Sequence, residues 1–289
     1  MPDANEKGVL YIVATPIGNL EDITYRAVRI LREADLIACE DTRHTRKLLD
    51  HYGIEAKLVS YHEHNEVERA SELIQKVCQG LSVAQVSDAG MPAISDPGYR
   101  LIRLAIEHGI RVVPVPGPSA LVAALAGSGL PTDAFEFRGF LPAKSGQRRT
   151  VLEAARGADH TIIFFEAPHR VHESVEDIVA ALGPARPLVI AREMTKVHEE
   201  FLRGSAAEIA AEIRDREIKG EITLLIGKAG AREQTDAAVD LVARLRQIMR
   251  EQGLDEKAAL KALARERGIS KSALYRELQR SQNKSGAMR

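Results

Sequence analysis

The stretch SDAGMPAISDPG, Ser87 to Gly98, follows the apolar run Leu81 to Val86 and consists mainly of small, turn-forming residues. Two further apolar runs end in the same way: Leu10 to Ala14 continues into TPIGN, and Arg111 to Val115 continues into PGPSA. A helical pattern follows each of these breaks. Strands that alternate with helices predict a parallel sheet, so the three loops should share the sheet edge at which open α/β folds bind ligands.

The chemistry of the three loops restricts the kind of ligand. None contains a lysine, and neither the G-x-x-x-x-G-K-[ST] phosphate loop nor the G-x-G-x-x-G dinucleotide motif is present. A phosphate cradle is therefore poorly supported. A ligand held by backbone amides, one carboxylate and apolar contact fits these loops better.

Alternating strands and helices continue along most of the chain and predict three regions. An N-terminal α/β domain is expected over residues 8–130 and a second over 131–230, with the junction near Pro131. The strand around Phe201 to Gly204 follows another strand without an intervening helix, which predicts a mixed second sheet. Ala229 to Thr235 is small and polar, which favours a linker, and residues 236–289 form a helical tail.

Composition indicates an ordinary globular protein. Of 289 residues, 45% are hydrophobic and 28% charged, and tryptophan is absent. The polar N-terminus does not resemble a targeting peptide, and the run Ala120 to Leu130 is too short to span a bilayer, so a cytoplasmic protein without membrane contact is expected. Cys39 and Cys78 are interpreted as buried, reduced thiols.

The net charge of −1 conceals a basic tail. From Asp236 to Arg289 there are 12 Lys and Arg against 7 Asp and Glu, a net charge of +5. The last two predicted helices are separated by Gly268-Ile269-Ser270, as in a helix-turn-helix unit, with Ser270 as N-cap. The final helix carries Lys271, Arg276 and Arg280, which are candidate RNA contacts, although charged helix faces are often merely solvated.

Five motifs make the chain recognisable: ATPIGNLEDIT, CEDTRHTRKLL, SDAGMPAISDPG, PVPGPSALVAAL and FFEAPHR. In this order they closely resemble the ribosomal RNA small subunit methyltransferase I family, which is of the tetrapyrrole-methylase type. The resemblance covers roughly Gly8 to Lys228 and continues in the basic helical tail.

The resemblance implies two α/β/α sandwich domains with a small C-terminal helical domain, S-adenosylmethionine as cofactor, and a homodimer. The implied substrate is 16S rRNA or the 30S subunit, methylated on a cytidine 2′-oxygen in the decoding region. The second domain is expected to close the cofactor cleft. The implied cofactor-binding residues are Pro16, Gly18, Asp88, Ala89, Gly90, Met91, Pro92, Ser119, Ala120, Phe165, Glu166 and Glu221.

Charged motifs at other strand ends supply candidates for catalysis and RNA binding. Methyl transfer from a sulfonium needs positioning and, for a ribose hydroxyl, a base, but no metal. Glu193 and Lys196 are the candidates for accepting or orienting the hydroxyl proton, and Arg170 for contacting a phosphate. Arg43 and Arg46 are candidate RNA contacts, the alternative being that Asp41 or Thr42 caps a helix and the arginines are solvated. Likewise, Arg192 could simply pair with Glu193 or Glu166.

A metal site is not expected. His62 and His64 alternate along an extended segment, but no third or fourth ligand is evident nearby. Two alternatives to the RNA methyltransferase stay open: a tetrapyrrole C-methyltransferase with the same cofactor, and a non-catalytic RNA-binding factor in ribosome assembly. The CEDTRHT and EAPHR runs and the basic tail disfavour the first, and the intact cofactor loops disfavour the second.

Overall fold

The computed structural model describes residues 8–267 and 269–286, with the backbone alone described for 231–240 and 280–286. These residues divide into two compact units. Unit 1 comprises the chain up to Ala124 together with Glu193–Glu199, and unit 2 comprises Leu125–Arg192 and the chain from Glu200 onward. The predicted domain boundaries stay predictions. Residues 1–7, where no targeting peptide is expected, and Gly268 of the predicted turn lie outside the described residues.

Unit 1 alternates strands and helices as predicted. Its elements are β1 (Val9–Val13), α1 (Tyr25–Glu33), β2 (Leu36–Cys39), α2 (Thr42–His51), β3 (Leu58–Ser60), α3 (Glu66–Cys78), β4 (Val83–Gln85), α4 (Tyr99–Glu107) and β5 (Arg111–Val115). Helix α5 (Ala120–Ser128) follows. The strands form one sheet in the order β3-β2-β4-β1-β5, and every neighbouring pair is parallel. The predicted parallel sheet is confirmed.

Both faces of this sheet are covered, because successive residues of a strand point to opposite sides. Leu10 and Ile12 of β1 pack in one cluster with residues of α3 and α4. Val13 packs in a second cluster with residues of α1 and α2. Continuous apolar strands are what a doubly covered parallel sheet requires. Pro114, which lacks an amide hydrogen, lies in the edge strand β5, where a missing donor is tolerated.

Unit 2 contains the mixed sheet that the sequence predicts. Its elements are β6 (Phe135–Phe140), α6 (Ser145–Ala154), β7 (Thr161–Glu166), α7 (Val171–Leu182), β8 (Pro187–Arg192), β9 (Glu200–Ser205), α8 (Ala206–Ile213) and β10 (Ile222–Ile226). The strand order is β6-β7-β10-β8-β9, with β6 and β7 parallel and the other pairs antiparallel.

A buried ion-pair network joins α6 to α7. Arg148 Nε donates to Asp177 Oδ2 at 2.7 Å, and the two side chains are 1% and 4% exposed. Arg149 and Ser145 donate to the same carboxylate. These hydrogen bonds satisfy a charge that would be costly to bury alone.

Three helices end the described chain: α9 (Ala231–Gln252), α10 (Glu256–Glu266) and α11 (Lys271–Gly286). They share an apolar core that includes Leu245, Leu263 and Leu274. The predicted linker at Ala229 to Thr235 is wrong beyond Gly230, because α9 already begins at Ala231. Alanine and charged residues in that stretch are compatible with a helix, which the interpretation as a polar linker overlooked.

One further expectation is wrong in part. Cys39 is buried, but Cys78 at the end of α3 is exposed, so only one of the two thiols is a core residue. Helix α2 begins at Thr42, because the Asp41 side chain accepts the Arg43 amide hydrogen and caps the helix there. Among the described helices, none has the length and apolar character needed to cross a bilayer.

Candidate functional site

The loops after β1 and β4 are bonded to each other at the carboxyl edge of the sheet in unit 1. The amide of Thr15 donates to Gly90 O at 2.9 Å, and the amide of Gly90 donates to Thr15 O at 3.0 Å. The Thr15 hydroxyl donates to Ser87 O at 3.0 Å. These hydrogen bonds hold the two loops together. The loops are far apart in the sequence and meet because β1 and β4 are neighbouring parallel strands.

Small residues let the loop after β5 approach the same place. Gly90 has a φ of +75°, and a Cβ there would lie 3.5 Å from Ile17 Cγ2 and 3.9 Å from Pro118 O. At Gly117, a Cβ would lie 2.9 Å from the Cβ of Ala14. Three of the predicted cofactor loops thus meet around Gly90. Ser119 and Ala120, at the start of α5, are half-buried beside this junction.

The remainder of the loop after β4 is held in a strained conformation. Ala93 and Ser95 have φ values of 69° and 64°, in the left-handed region that costs a residue with a Cβ about 1 to 3 kcal/mol. Gln85 Nε2 donates to Pro97 O at 2.8 Å and fills the space where a Cβ of Gly98 would lie. Contacts with the buried Gln85 side chain hold the loop in this conformation.

Carboxylates from two neighbouring strands gather at the same edge. Asp88 Oδ1 accepts the amide hydrogen of Asp41 at 3.2 Å, which ties the loop after β4 to the loop after β2. Burial, and then the charge of Glu40, raise the pKa of Asp96 to about 6. Burial and the charge of Asp88 also raise the pKa of Glu40. Sequence reasoning gave no role to Glu40 or Asp96, because their proximity depends on β2 and β4 being neighbours.

The segment Glu193–Glu199 joins β8 to β9 but belongs to unit 1. Its backbone is tightly turned: Glu193 and Thr195 have φ values of 49° and 67°, and the amide of Lys196 donates to Glu193 O at 3.0 Å. Lys196 Nζ donates to Glu193 Oε1 at 2.8 Å. The structure therefore joins the two predicted candidates for the base as an ion pair.

Two predicted site residues in unit 2 are bonded to each other at the end of β7. Glu166 is fully buried and accepts hydrogen bonds from Arg170 Nη2 at 2.7 Å, the Ala167 amide at 2.7 Å and the Ser174 hydroxyl at 2.5 Å. Arg170 Nε is buried and has no hydrogen-bond partner in the described part of the chain. The Glu166 carboxylate thus orients Arg170.

The other unit 2 residues occupy different surroundings. Phe165 packs edge-on against Phe137, with ring centroids 4.9 Å apart, and Glu221 is exposed. Arg192 pairs with Glu200 at 2.5 Å across the β8–β9 ladder, rather than with Glu193 or Glu166 as the sequence suggested. Opposite charges on paired residues of adjacent strands explain this choice.

The predicted RNA contacts on α2 are exposed but already make protein contacts. Arg43 forms an ion pair with Asp41 at 2.9 Å, and hydrogen bonds from Arg43 lower the pKa of Asp41 to about 2. Arg46 Nη2 donates to Ala56 O at 3.3 Å. Asp41 also caps the helix, so the alternative of a capped helix with exposed arginines describes the observed geometry.

On the tail, Ser270 accepts the amide hydrogen of Ala273 and caps α11 as predicted. Arg276 is exposed and Lys271 is half-buried, while the side chain of Arg280 lies outside the described residues. At the separate His62-Glu63-His64 segment, the two imidazole centroids lie 5.9 Å apart. No group of three metal-ligating side chains occurs among the described residues.

Comparison with known proteins identifies what the chain resembles. The family described as tetrapyrrole (corrin/porphyrin) methylases matches residues 9–210. Two curated relatives named "Ribosomal RNA small subunit methyltransferase I" align over 232 residues. The one from Halalkalibacterium halodurans is 52% identical, covering 80% of each chain, and the one from Mesorhizobium japonicum is 53% identical, covering 80% of this chain and 79% of the relative.

A solved structure shares the fold. It is uroporphyrin-III C-methyltransferase from Thermus thermophilus complexed with S-adenosylhomocysteine, at a TM-score of 0.52 and 20% identity, covering 76% of this chain and 97% of that one. The predicted fold class, two α/β domains of the tetrapyrrole-methylase type followed by C-terminal helices, is confirmed.

Proposed function

Because this chain belongs to the ribosomal RNA small subunit methyltransferase I family, within the tetrapyrrole methylases, we propose that it methylates the 2′-oxygen of a cytidine ribose in the decoding region of 16S rRNA. The observation that carries the proposal is the identity of about half the residues to relatives of that name over most of the chain. The chain is a methyltransferase, and S-adenosylmethionine is the donor of the methyl group.

The loops of unit 1 fit this cofactor. Around Gly90, which has no Cβ, the loops after β1, β4 and β5 meet, and the loop after β4 also carries the carboxylate of Asp88. A Cβ at Gly90 would project between Ile17 and Pro118. We assign cofactor contact to the predicted residues of these loops, namely Pro16, Asp88, Ala89, Gly90, Met91, Pro92, Ser119 and Ala120, and for Gly18, also a predicted contact, we infer a positioning role below. Phe165, Glu166 and Glu221 of unit 2 stay predicted contacts.

Bound S-adenosylmethionine supplies an electrophilic methyl group on a sulfonium. The protein must hold the ribose hydroxyl in line with that group, a positional contribution of about 7 to 11 kcal/mol in well-oriented reactions. It must also accept the hydroxyl proton, which typically contributes about 100- to 10,000-fold.

The ion pair between Glu193 and Lys196 suggests a different role in the reaction for each residue. Lys196 Nζ and Glu193 Oε1 lie 2.8 Å apart. An ammonium has no lone pair with which to accept a proton, whereas a carboxylate has several. A carboxylate oxygen carries more than one lone pair, so the Glu193 carboxylate can accept the hydroxyl proton while it pairs with Lys196. We therefore assign proton acceptance to Glu193 and orientation of its carboxylate to Lys196. Arg170, held by Glu166, is assigned to a phosphate of the RNA.

The RNA contacts that we propose outside the catalytic region are Arg43 and Arg46 on α2 and the basic tail with Lys271, Arg276 and Arg280. Arg43, Arg46 and Arg276 are exposed and Lys271 is partly exposed, so their positive charges can neutralise phosphates and release counterions. We also propose that the protein acts in the cytoplasm, as a homodimer, on 16S rRNA or on the 30S subunit. No membrane contact is proposed.

The proposal is tested with 30S subunits and naked 16S rRNA from a strain that lacks this protein. Purified protein and methyl-labelled S-adenosylmethionine should transfer one methyl per RNA, and mass spectrometry of nuclease fragments should place it on a cytidine ribose. Binding of the cofactor should survive a chelator, because no metal is invoked. Labelling of a base, or of no RNA substrate, would contradict the proposal.

The two alternatives predict different products. A tetrapyrrole C-methyltransferase would label uroporphyrinogen and leave rRNA unlabelled. Among the proteins compared, tetrapyrrole enzymes share only the fold at about one-fifth identity. A non-catalytic assembly factor would bind the RNA but transfer no methyl group with either substrate.

A further inference from the structure

Gly18, in the loop after β1, lies directly beneath the side chain of Lys196. A Cβ built on Gly18 would lie 2.5 Å from Lys196 Cγ, 2.9 Å from Thr195 Oγ1 and 3.0 Å from Lys196 Cε. Real Cβ contacts are essentially never this short. Cγ is the near end of the lysine side chain, so rotation of its outer part cannot relieve the overlap.

The absence of a side chain at Gly18 has a steric cause rather than a conformational one. Gly18 is not among the described glycines with a left-handed backbone, unlike Gly90 or Gly98. Its φ is therefore on the negative side, which residues with a Cβ ordinarily occupy. What an alanine could not do is leave room for Lys196 and Thr195.

The segment above Gly18 has few ways to yield. Turns with positive φ at Glu193 and Thr195 define its backbone, Met194 is buried, and the Thr195 amide donates to Glu199 Oε2 at 2.6 Å. Thr195 Oγ1 is buried with no hydrogen-bond partner in the described part of the chain. A close-packed loop of this kind has no free space for a new methyl group, so Gly18→Ala should push the segment off the loop after β1 and increase its mobility.

We infer that Gly18 is a positioning residue: it seats the Glu193–Glu199 segment on the loop after β1 and so sets where the Glu193–Lys196 pair lies. The inference rests on the proposed function for the meaning of that pair. It replaces cofactor contact as the main reason for a glycine at residue 18. Lys196, which is half-buried over this loop, transmits the constraint to Glu193 through their 2.8 Å hydrogen bond.

A single tryptophan can report the position of the segment independently of activity. The chain contains no tryptophan, and Val197 at the tip of the segment is 97% exposed. Val197→Trp therefore places one fluorophore where it should disturb little. In this background, Gly18→Ala is compared with Gly146→Ala, a matched control at which a Cβ would meet no atom within 4 Å.

We expect Gly18→Ala to lower the anisotropy of Trp fluorescence, to reduce single-turnover methyl transfer by about 100-fold, and to change the cofactor Kd by less than about 3-fold. Gly146→Ala should change none of these. In a Thr195→Ala, Lys196→Ala background, which removes all three atoms closest to the new Cβ, adding Gly18→Ala should cost less than about 3-fold in rate. The effect of Gly18→Ala would then depend on the side chains above it. If Gly18 only stabilised the fold, the effects of the substitutions would simply add.

Two results would overturn the inference. One is an equal loss of cofactor affinity from Gly18→Ala with and without the Thr195 and Lys196 side chains, which would make Gly18 a direct cofactor contact. The other is an unchanged fluorescence anisotropy in Gly18→Ala. If the parent protein methylates no rRNA, the proposed function fails, while the fluorescence comparison still decides whether Gly18 seats the segment.

Discussion

The Lys196 ammonium donates to the Glu193 carboxylate at 2.8 Å, within a seven-residue segment that belongs to unit 1. Glu193 and Lys196, the two candidates for the base, thus form an ion pair, and only the carboxylate is ready to accept a proton. The carboxylate can accept a proton while it pairs with the ammonium. This relationship leads to the first prediction.

Glu193→Gln should lower the single-turnover methylation rate by about 100-fold or more, because the amide cannot accept the ribose proton. Lys196→Met should cost less, about 10-fold, because it loosens the carboxylate without removing it. Cofactor and RNA affinities, measured by calorimetry and filter binding, should stay near those of the parent. Quench-flow rates from pH 7 to 9 should be nearly flat for a carboxylate base. A rate that climbs with pH would assign the base to Lys196 instead.

Asp96→Asn should stabilise the protein above pH 6. Burial and the charge of Glu40 raise the folded-state pKa of Asp96 from 3.8 to about 6, so the native state retains a proton that the unfolded chain has lost. Stability from this group is therefore present below pH 4 and is lost as the pH rises towards 6. After screening, the gain at pH 7.5 should be about 1 kcal/mol.

Thermal unfolding from pH 4 to 8 checks this prediction, since the difference between parent and Asp96→Asn should grow between pH 4 and 6. Asp133→Asn, at an exposed position, serves as the control and should show no such growth. A variant less stable than the parent at pH 7.5 would mean that the Asp96 carboxylate makes a favourable contact when ionised.

Arg148→Met should lower the free energy of unfolding by about 3 to 5 kcal/mol, since it removes the buried partner of Asp177. Arg149→Met is the matched comparison. Arg149 binds the same carboxylate at 2.6 Å but is 54% exposed, so its loss should cost only about 1 kcal/mol. Urea titrations give both values. Equal losses would show that burial does not control the strength of this network.

Removal of the tail after Gly230 should weaken binding to the 30S subunit and reduce its dependence on salt. The residues from Asp236 carry a net charge of +5, and each lost phosphate contact lowers the slope of log K against log salt by about 0.7 to 0.9. The cut precedes α9, so no partial helix remains. Cofactor affinity, measured by calorimetry, should be nearly unchanged.

A double variant, Lys271→Gln with Arg276→Gln, separates charge from folding of the tail. The double variant should reduce the slope of log K against log salt by the amount expected for the loss of up to about two phosphate contacts. Its circular dichroism spectrum should stay that of the parent. If the truncated protein binds with the parent slope, the tail has a structural role only.

Local patterns in the sequence were sufficient for most of the secondary structure. Apolar runs ending in Gly and Pro predicted β1, β4 and β5 and the loops that follow them, and the serine at 270 predicted the start of α11. These features depend on residues close together in the chain. The interpretation failed at Ala229 to Thr235, where small residues suit a helix as well as a linker.

The arrangement of the candidate site was decided by contacts between residues far apart in the chain. Asp96 lies near Glu40 because β2 and β4 are neighbours in the sheet, and Lys196 lies over Gly18 because the connection between β8 and β9 belongs to unit 1. The sequence by itself determined which residues end each strand and thereby which chemical groups are available. Only the tertiary structure decided which of them meet, because strand order and the seating of a loop depend on packing that local propensities do not encode.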